Sequence, residues 1–369
     1  MVCIAAFIIL CLISIFVAFL SIFRRDIGKR YWKTFKKAWG CVAKKATLQK
    51  CETGFKDDIK HSILKKVIIK KPKLVKPISV AIEVAAVLIV VVSIWSLVEA
   101  TKAGLALWTL GTCNVQRPAA CSLSADIGCS IDGDAGPKNP VEAAQYWFKG
   151  WGEIISAIPD KFRNWDVNSF DLTGIELTTG NSSTLTAIDI LDPGCIACLQ
   201  SYKNQLASGF FNDNRTLIVP FPIRNSDGSY KFKNSELIAR YVFATNQQAS
   251  PKNPGNLTAS TDLLNNKSPA LLILDRIYTG KDAKKRSYQS LFNDIYTDAE
   301  ARQLLDQWLS EFGYDQDERA AIASNAMSES ITKILEHNND IVINNIHAKG
   351  IPTMIYDHKK HTGKYEVSQ

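Results

Sequence analysis

Two cysteines three residues apart, Cys195 and Cys198, follow the turn residues Asp192-Pro193-Gly194 and the strand-like run 184–191. A helix opening at Cys195 would set its sulfur near unpaired backbone N–H groups and the positive end of the helix dipole, which favour thiolate over thiol. Thiolate is the attacking species in disulfide exchange. Cys198 would lie on the same helical face, one turn deeper, placed to resolve a mixed disulfide. Cys195 therefore reads as the nucleophile and Cys198 as the resolving thiol. Asp189 sits six residues before Cys195 among Ile188, Ile190 and Leu191. Buried near Cys198, it would have a raised pKa and accept that thiol's proton; on an alternating strand it would instead face solvent. Much later, Gly350-Ile351-Pro352-Thr353 opens the final strand pattern. A cis proline at 352 would offer the backbone of Ile351 to an extended substrate chain, which would pair as an added strand beside the sulfur.

The elements that must position these residues are legible in outline. The run 142–158 carries Ala143, Trp147, Trp151 and Ile154 at helical spacing and stops at Pro159. Residues 170–178 alternate loosely as a strand, and 180–181 form a turn into the strand 184–191. Residues 195–208 read as a helix, with Leu199, Tyr202 and Leu206 on one face and Gly209 after it. Residues 215–219 are another strand, ended by Pro220 and Pro222. From about 235 to 338 the pattern is helical, with a capping box at Thr297-Asp298-Ala299-Glu300. Residues 245–268 read as a loop. Residues 351–356 and 365–367, joined by a turn around 359–363, read as a terminal hairpin.

On Asp189, Cys195, Cys198, Ile351, Pro352 and Thr353, with Gly363-Lys364-Tyr365 leading into the last strand, residues 181–369 resemble the thioredoxin superfamily. More specifically they are similar to its DsbA-like branch, in which a helical insertion (here about 235–338) separates the CxxC half from the cis-proline half. The resemblance covers about half of the chain. It implies an α/β thioredoxin-like fold and a thiol–disulfide exchange enzyme acting on exported proteins, with substrate held along Ile351, Pro352 and Thr353. Three departures stand out. Pro193-Gly194 replaces the aromatic that precedes the first cysteine in that family. Ile196-Ala197 carries neither the His of strong oxidants nor the Pro common in reductants, so the direction of exchange stays open. The sequence ends at Gln369, soon after the hairpin, so the segment around 142–158 is expected to cover the sheet face that a closing helix would otherwise cover.

Two apolar runs precede this part. Residues 1–23 carry no charge and 78–98 carry only Glu83; each is long enough to span a bilayer. Between them, residues 24–77 hold 18 Lys/Arg against 4 Asp/Glu, and the whole-chain charge is +8, which leaves −6 for the rest. Short basic loops stay in the cytoplasm. The expected topology is two transmembrane helices with residues 24–77 inside and both termini outside, at the inner or cytoplasmic membrane. Arg24-Arg25 behind the first run, without a positive n-region or a cleavage site, favours an anchor over a cleaved signal peptide. Tyr31, Phe35, Ala38, Trp39 and Val42 share a helical face that suits the anionic inner leaflet. The basic loop reads as a topology signal, with the bilayer as partner and no nucleic acid.

The remaining organisation is a neck or cap, 99–180, followed by the thioredoxin-like domain, 181–369. The neck carries Cys113, Cys121 and Cys129 at equal spacing on the oxidising side. One structural disulfide among them is the plain expectation, with one thiol left over; a relay of electrons to Cys195 and Cys198 is the sharper alternative. A single CxxC with no second ligand pair gives no zinc site, and no phosphate loop or dinucleotide fingerprint stands out, so no metal and no cofactor are expected. Two function classes follow. One is a membrane-tethered, extracytoplasmic thiol–disulfide oxidoreductase whose partners are exported proteins bearing thiols or disulfides and a membrane or envelope redox protein. The other is a non-catalytic interaction module of an envelope assembly, with Cys195–Cys198 as a static bridge.

Overall fold

The computed structural model describes residues 32, 36, 39, 40, 75–115, 129–131, 137–172, 177–180, 182–225, 227–251 and 268–363. Its contacts divide the chain into Met1–Thr101 and Lys102–Gln369. Helix α1 runs Val75–Leu110, and its 36 residues rise about 54 Å at 1.5 Å each. Among the described residues it is the one helix long and apolar enough to cross a membrane. The expected span 78–98 falls inside it, where Val91, Val92, Ile94, Trp95 and Leu97 are all exposed. The expected first span, 1–23, and nearly all of the basic loop lie outside the described residues.

The second unit is built on a four-stranded mixed sheet. Strand β1 (Cys129–Ser130) belongs to a separate two-stranded pair and is taken up with the site. Central strand β2 (Ala187–Leu191) runs parallel to β3 (Thr216–Pro220) and antiparallel to β5 (Thr353–Tyr356), which pairs with β6 (Lys359–Thr362). Every residue of β2 and β3 is buried, as in strands covered on both faces. Helices α3 (Ile196–Ala207) and α4 (Phe210–Asp213) connect these two strands. This mixed sheet, with a CxxC at the start of the helix after its central strand, fits a thioredoxin-like α/β fold.

Between β3 and the two-residue strand β4 (Gly350–Ile351) lies a helical insertion. It holds α5 (Ser235–Gln247), α6 (Pro269–Thr279), α7 (Asp298–Glu311), α8 (Gln316–Ala326) and α9 (Glu329–Asp340). Capping boxes at Thr297/Glu300 and Asp315/Glu318 start α7 and α8, each satisfying otherwise orphaned N–H groups. Helix α6 is buried on nearly every side, from Ala270 to Tyr278, which makes it the axis of the insertion. Its Tyr278 ring lies 5.0 Å from that of Tyr202 on α3, so the sheet domain and the insertion share one core.

Two expectations are corrected. Helix α2 (Pro140–Ala157) forms, but its buried Ile154 and Ala157 pack on Ala106, Leu110 and Val115 rather than on the sheet. Trp165, Val167, Leu172 and Leu177 join the sheet's core instead. The hairpin also turns earlier than expected. Asp357 and His358 both have positive φ (49° and 56°), the two-residue type I′ arrangement, and Lys359–Thr362 is the return strand. An edge strand tolerates its lysines: Lys359 is exposed, and Lys360 lays its stem inward and stands over the Trp165 ring at 4.7 Å. Replacing Asp357-His358 by Asn-Gly, which favour this turn, should raise the melting temperature by about 1–4 °C. Differential scanning calorimetry of the full chain checks it, and an unchanged or lower value refutes it.

Candidate functional site

The turn from β2 into α3 is buried, and its backbone is held by side chains of the insertion. The Asp192 carbonyl accepts from the Tyr278 hydroxyl at 3.0 Å. The Pro193 and Cys195 carbonyls accept from Gln289 Nε2 at 2.8 and 3.1 Å, and the Gly194 carbonyl from Asn293 Nδ2 at 2.7 Å. Buried carbonyls need partners, and here four consecutive ones receive them from residues about 90 positions away. A Cβ on Gly194 would come within 2.4 Å of Phe232 Cβ and 2.8 Å of Asn293 Oδ1. That explains why glycine stands directly before Cys195: the side-chain space is already filled by Phe232. Gly194→Ala should cost about 2 kcal/mol by overpacking, read as a loss of unfolding free energy in urea. A change under ~0.5 kcal/mol would show that the turn yields.

Cys195 is the N-cap residue of α3, in extended conformation, and Cys198 lies within the first turn. Both are fully buried. Cys198 is a free thiol, and the Asp192 N–H points at its sulfur at 3.4 Å. Burial, then the Asp192 charge and more weakly the Asp189 charge, push the Cys198 thiol well above its usual pKa, while the Asp192 N–H opposes them. Cys198 is therefore a thiol at neutral pH and needs a base to act.

Two carboxyl groups stand close by. Asp189 is fully buried, which excludes the solvent-facing orientation. Desolvation raises its pKa to about 7, against a smaller lowering by Gln205, whose Nε2 donates to Asp189 Oδ2 at 2.8 Å. Its other oxygen, Oδ1, is buried without a hydrogen-bond partner. Asp192 is raised to about 6, also by desolvation, but its carboxylate is fully engaged. Oδ1 accepts from the Gly194 N–H at 2.7 Å and the Ser235 hydroxyl, and Oδ2 accepts from the Ile223 N–H at 2.7 Å. Asp192 fastens the turn, whereas Asp189 keeps a lone-pair site open for a proton.

The far side of the site is the segment before β5. The Ile351–Pro352 peptide bond is cis. The Thr353 hydroxyl donates to the Gly350 carbonyl at 2.7 Å, and the Gly363 N–H donates to the Pro352 carbonyl at 2.8 Å. Cys195 Sγ lies 3.6 Å from the Ile351 carbonyl oxygen. The structure thus brings Cys195, Cys198, Asp189 and Ile351–Thr353 together, as their placement along the chain suggested.

The spacing of Cys113, Cys121 and Cys129 leaves their pairing open, with one of the three expected to stand outside a neck bridge. That one is Cys129, and the disulfide here does not join Cys195 to Cys198. Cys129 bridges Cys195, with their Cα atoms 6.0 Å apart across 66 residues of sequence. The cause is strand pairing. Strand β1 runs antiparallel to β4 with Cys129 opposite Ile351 and Ser130 opposite Gly350, and the Ile131 N–H donates to the Lys349 carbonyl at 3.2 Å. Cys113 is also disulfide-bonded. Sequence reasoning missed Asp192, which read as a turn former, and Gln289, Asn293 and Tyr278, which carry no local signal. The sequence held one clue to Cys129, an odd number of cysteines at 113, 121 and 129.

No protein-family model matches the chain, and no curated protein matches it. Among solved structures it is similar to the thiol-disulfide exchange protein alpha-DsbA2 from Wolbachia pipientis, at 15% identity and a TM-score of 0.33, over 51% of this chain and 79% of that one. The thioredoxin-like assignment rests on the sheet order and on the placement of the CxxC turn, not on that likeness.

Asp189 also sets a pH dependence of stability. An acid whose folded pKa is raised keeps its proton in the native state after the unfolded chain has lost it, so stability falls as pH rises, here between about 4 and about 7. From pH 5 to pH 8 the contribution is about 2–3 kcal/mol for a shift of this size. Urea unfolding at both pH values should therefore show wild type losing more stability than Asp189→Asn, and equal losses would contradict the buried ionisation.

Proposed function

We propose that the chain is a thiol–disulfide oxidoreductase acting on exported proteins, anchored in the inner or cytoplasmic membrane by two helices, residues 1–23 and 78–98. Residues 24–77 lie inside, both termini lie outside, and the neck 99–180 and catalytic domain 181–369 face the oxidising side. The observation that carries this reading is the state of the two sulfurs. Cys195 is engaged in a disulfide at a strand edge, and the free thiol of Cys198 lies buried beneath it on the same helical turn.

In this reading the Cys195 thiolate, favoured by the N-terminus of α3, attacks one sulfur of a disulfide in an exported chain. That S–S bond breaks, its other sulfur leaves as thiolate and takes a proton from solvent, and a mixed disulfide with Cys195 remains. Ile351–Thr353 hold the substrate as an added strand. Cys198 then attacks Cys195, giving up its proton to Asp189. The Cys195–Cys198 bond forms, and the substrate sulfur leaves as thiolate and takes a proton from solvent. Run in reverse, the same steps oxidise a substrate dithiol. A membrane or envelope redox partner resets the pair.

The reading in which the domain is a static scaffold draws on the full burial of Cys195 behind its own disulfide. One experiment separates the two. Full-length Cys129→Ser/Cys198→Ser is expressed in the envelope, acid-quenched and resolved without reductant. An exchange enzyme accumulates adducts with exported proteins that need Cys195 and collapse under dithiothreitol; a scaffold gives none. Restoring Cys198 should cut the adducts at least tenfold, and Asp189→Asn should slow that resolution about 10²-fold, as loss of a general base does.

A further inference from the structure

Strand β1 occupies the place where the proposed reaction needs its substrate. Cys129 stands opposite Ile351 in an antiparallel pair, its sulfur is bonded to the nucleophilic sulfur, and the resolving thiol is free. We infer that Cys129 is the third redox-active cysteine of this site, carried on a strand that serves as a tethered substrate and holds the groove closed until Cys198 displaces it. The inference rests on the exchange reading above and adds a gate to it.

The step balances within the chain. Cys198 loses its proton to Asp189 and attacks Cys195 Sγ. The Cys129–Cys195 bond breaks as the Cys195–Cys198 bond forms, and Cys129 departs as thiolate and takes up a proton. One disulfide and one thiol stand on each side, so no outside oxidant or reductant is consumed. The closed form has Cys195 fully buried and its neighbouring strand edge paired, so an exported chain meets neither the sulfur nor the backbone groups. A tethered partner acts at an effective concentration on the order of mM, well above that of a dilute external protein. The open form presents an oxidised Cys195–Cys198 pair and a vacant strand edge, and Cys129 becomes a thiol able to take the next disulfide.

The test uses the full chain in detergent, equilibrated over a series of glutathione ratios, acid-quenched, alkylated and mapped by peptide mass spectrometry. Wild type should yield both the Cys129–Cys195 and the Cys195–Cys198 peptides, with the alkyl label moving reciprocally between Cys198 and Cys129. Cys198→Ser should yield only Cys129–Cys195. Ile131→Pro, which removes the N–H given to Lys349 and leaves every cysteine in place, should shift the mixture toward Cys195–Cys198. The oxidised protein is then reduced with the synthetic peptide acetyl-Ile-Gly-Cys-Ser-Ile-amide, which copies residues 127–131. Cys129→Ser should react at least tenfold faster than wild type. If Cys129 is never recovered with Cys195 in Cys198→Ser, or if both proteins react at one equal, measurable rate, the gate is wrong and the exchange reading stands. If Cys129→Ser is inert toward the peptide, the exchange reading falls and the gate falls with it.

Discussion

Four carbonyl groups in a row, from Asp192 to Cys195, face inward at the mouth of α3, and the architecture around the site answers the need to pair them. The carbonyls of Asp192 and Cys195 also accept locally, from the Cys195 N–H at 3.0 Å and the Leu199 N–H at 3.1 Å, but those of Pro193 and Gly194 find their donors in the insertion. A buried carbonyl left without a donor costs roughly 1–3 kcal/mol. The donors come from α6 and from the short helical stretch behind it, through Tyr278, Gln289 and Asn293. The insertion is therefore a structural requirement of the cysteine turn as well as a wall beside it. It also fixes Gly194, because Phe232 and Asn293 take up the volume that any side chain there would need. The residue before Cys195 is a glycine because an aromatic ring, that of Phe232, arrives there through space.

With the turn fixed, the two sulfurs acquire opposite characters from one helix. Cys195 stands at its cap, where the dipole and unpaired N–H groups stabilise negative charge. Cys198 lies one step inside, with no solvent and two acidic neighbours, and its proton is held tightly. The neighbours differ in turn. Asp192 accepts three hydrogen bonds, so protonation would break a contact that secures the turn. Asp189 accepts one and sits near neutrality, which suits a group that must take a proton and return it. Burying this carboxyl destabilises the fold at neutral pH, and strongly shifted carboxyls of this kind gather at functional sites.

Much of this was legible before any coordinates. The strand, turn and helix around the cysteines and the helical insertion follow from local rules: apolar runs, turn formers, caps. The Ile-Pro-Thr segment stands out only through its resemblance to thioredoxin-type sites. The long-range facts did not follow. Gln289 and Asn293 look like ordinary polar helix residues, and only the fold reveals that they face backbone carbonyls. The turn is expected around 359–363, whereas the left-handed backbone falls at Asp357 and His358, neither a glycine. Helix α2 was recognised correctly and its partner was not, since periodicity gives a buried face without saying what buries it. For Cys129, spacing leaves open which of the three neck cysteines stands apart, and strand register against Gly350 and Ile351 carries it to a partner 66 residues on.

The β1–β4 ladder is two residues long, and that brevity bears on how the site turns over. A backbone hydrogen bond contributes about 1 kcal/mol net, so a ladder this short holds no strand by itself against the entropy of ordering it. The disulfide and the ladder therefore depend on each other. Pairing aligns the incoming sulfur with Cys195, and the covalent bond keeps the strand in register. In the proposed exchange, where Cys198 takes over Cys195, the remaining backbone contacts would be too few to retain the strand. A longer edge would grip better but would keep its product after the chemistry was done. The same weakness means that specificity cannot come from the backbone ladder, which any extended chain can form. It must come from what surrounds it, and of the CxxC residues Ile196, more than half exposed beside two buried cysteines, is the side chain most available to touch an incoming chain.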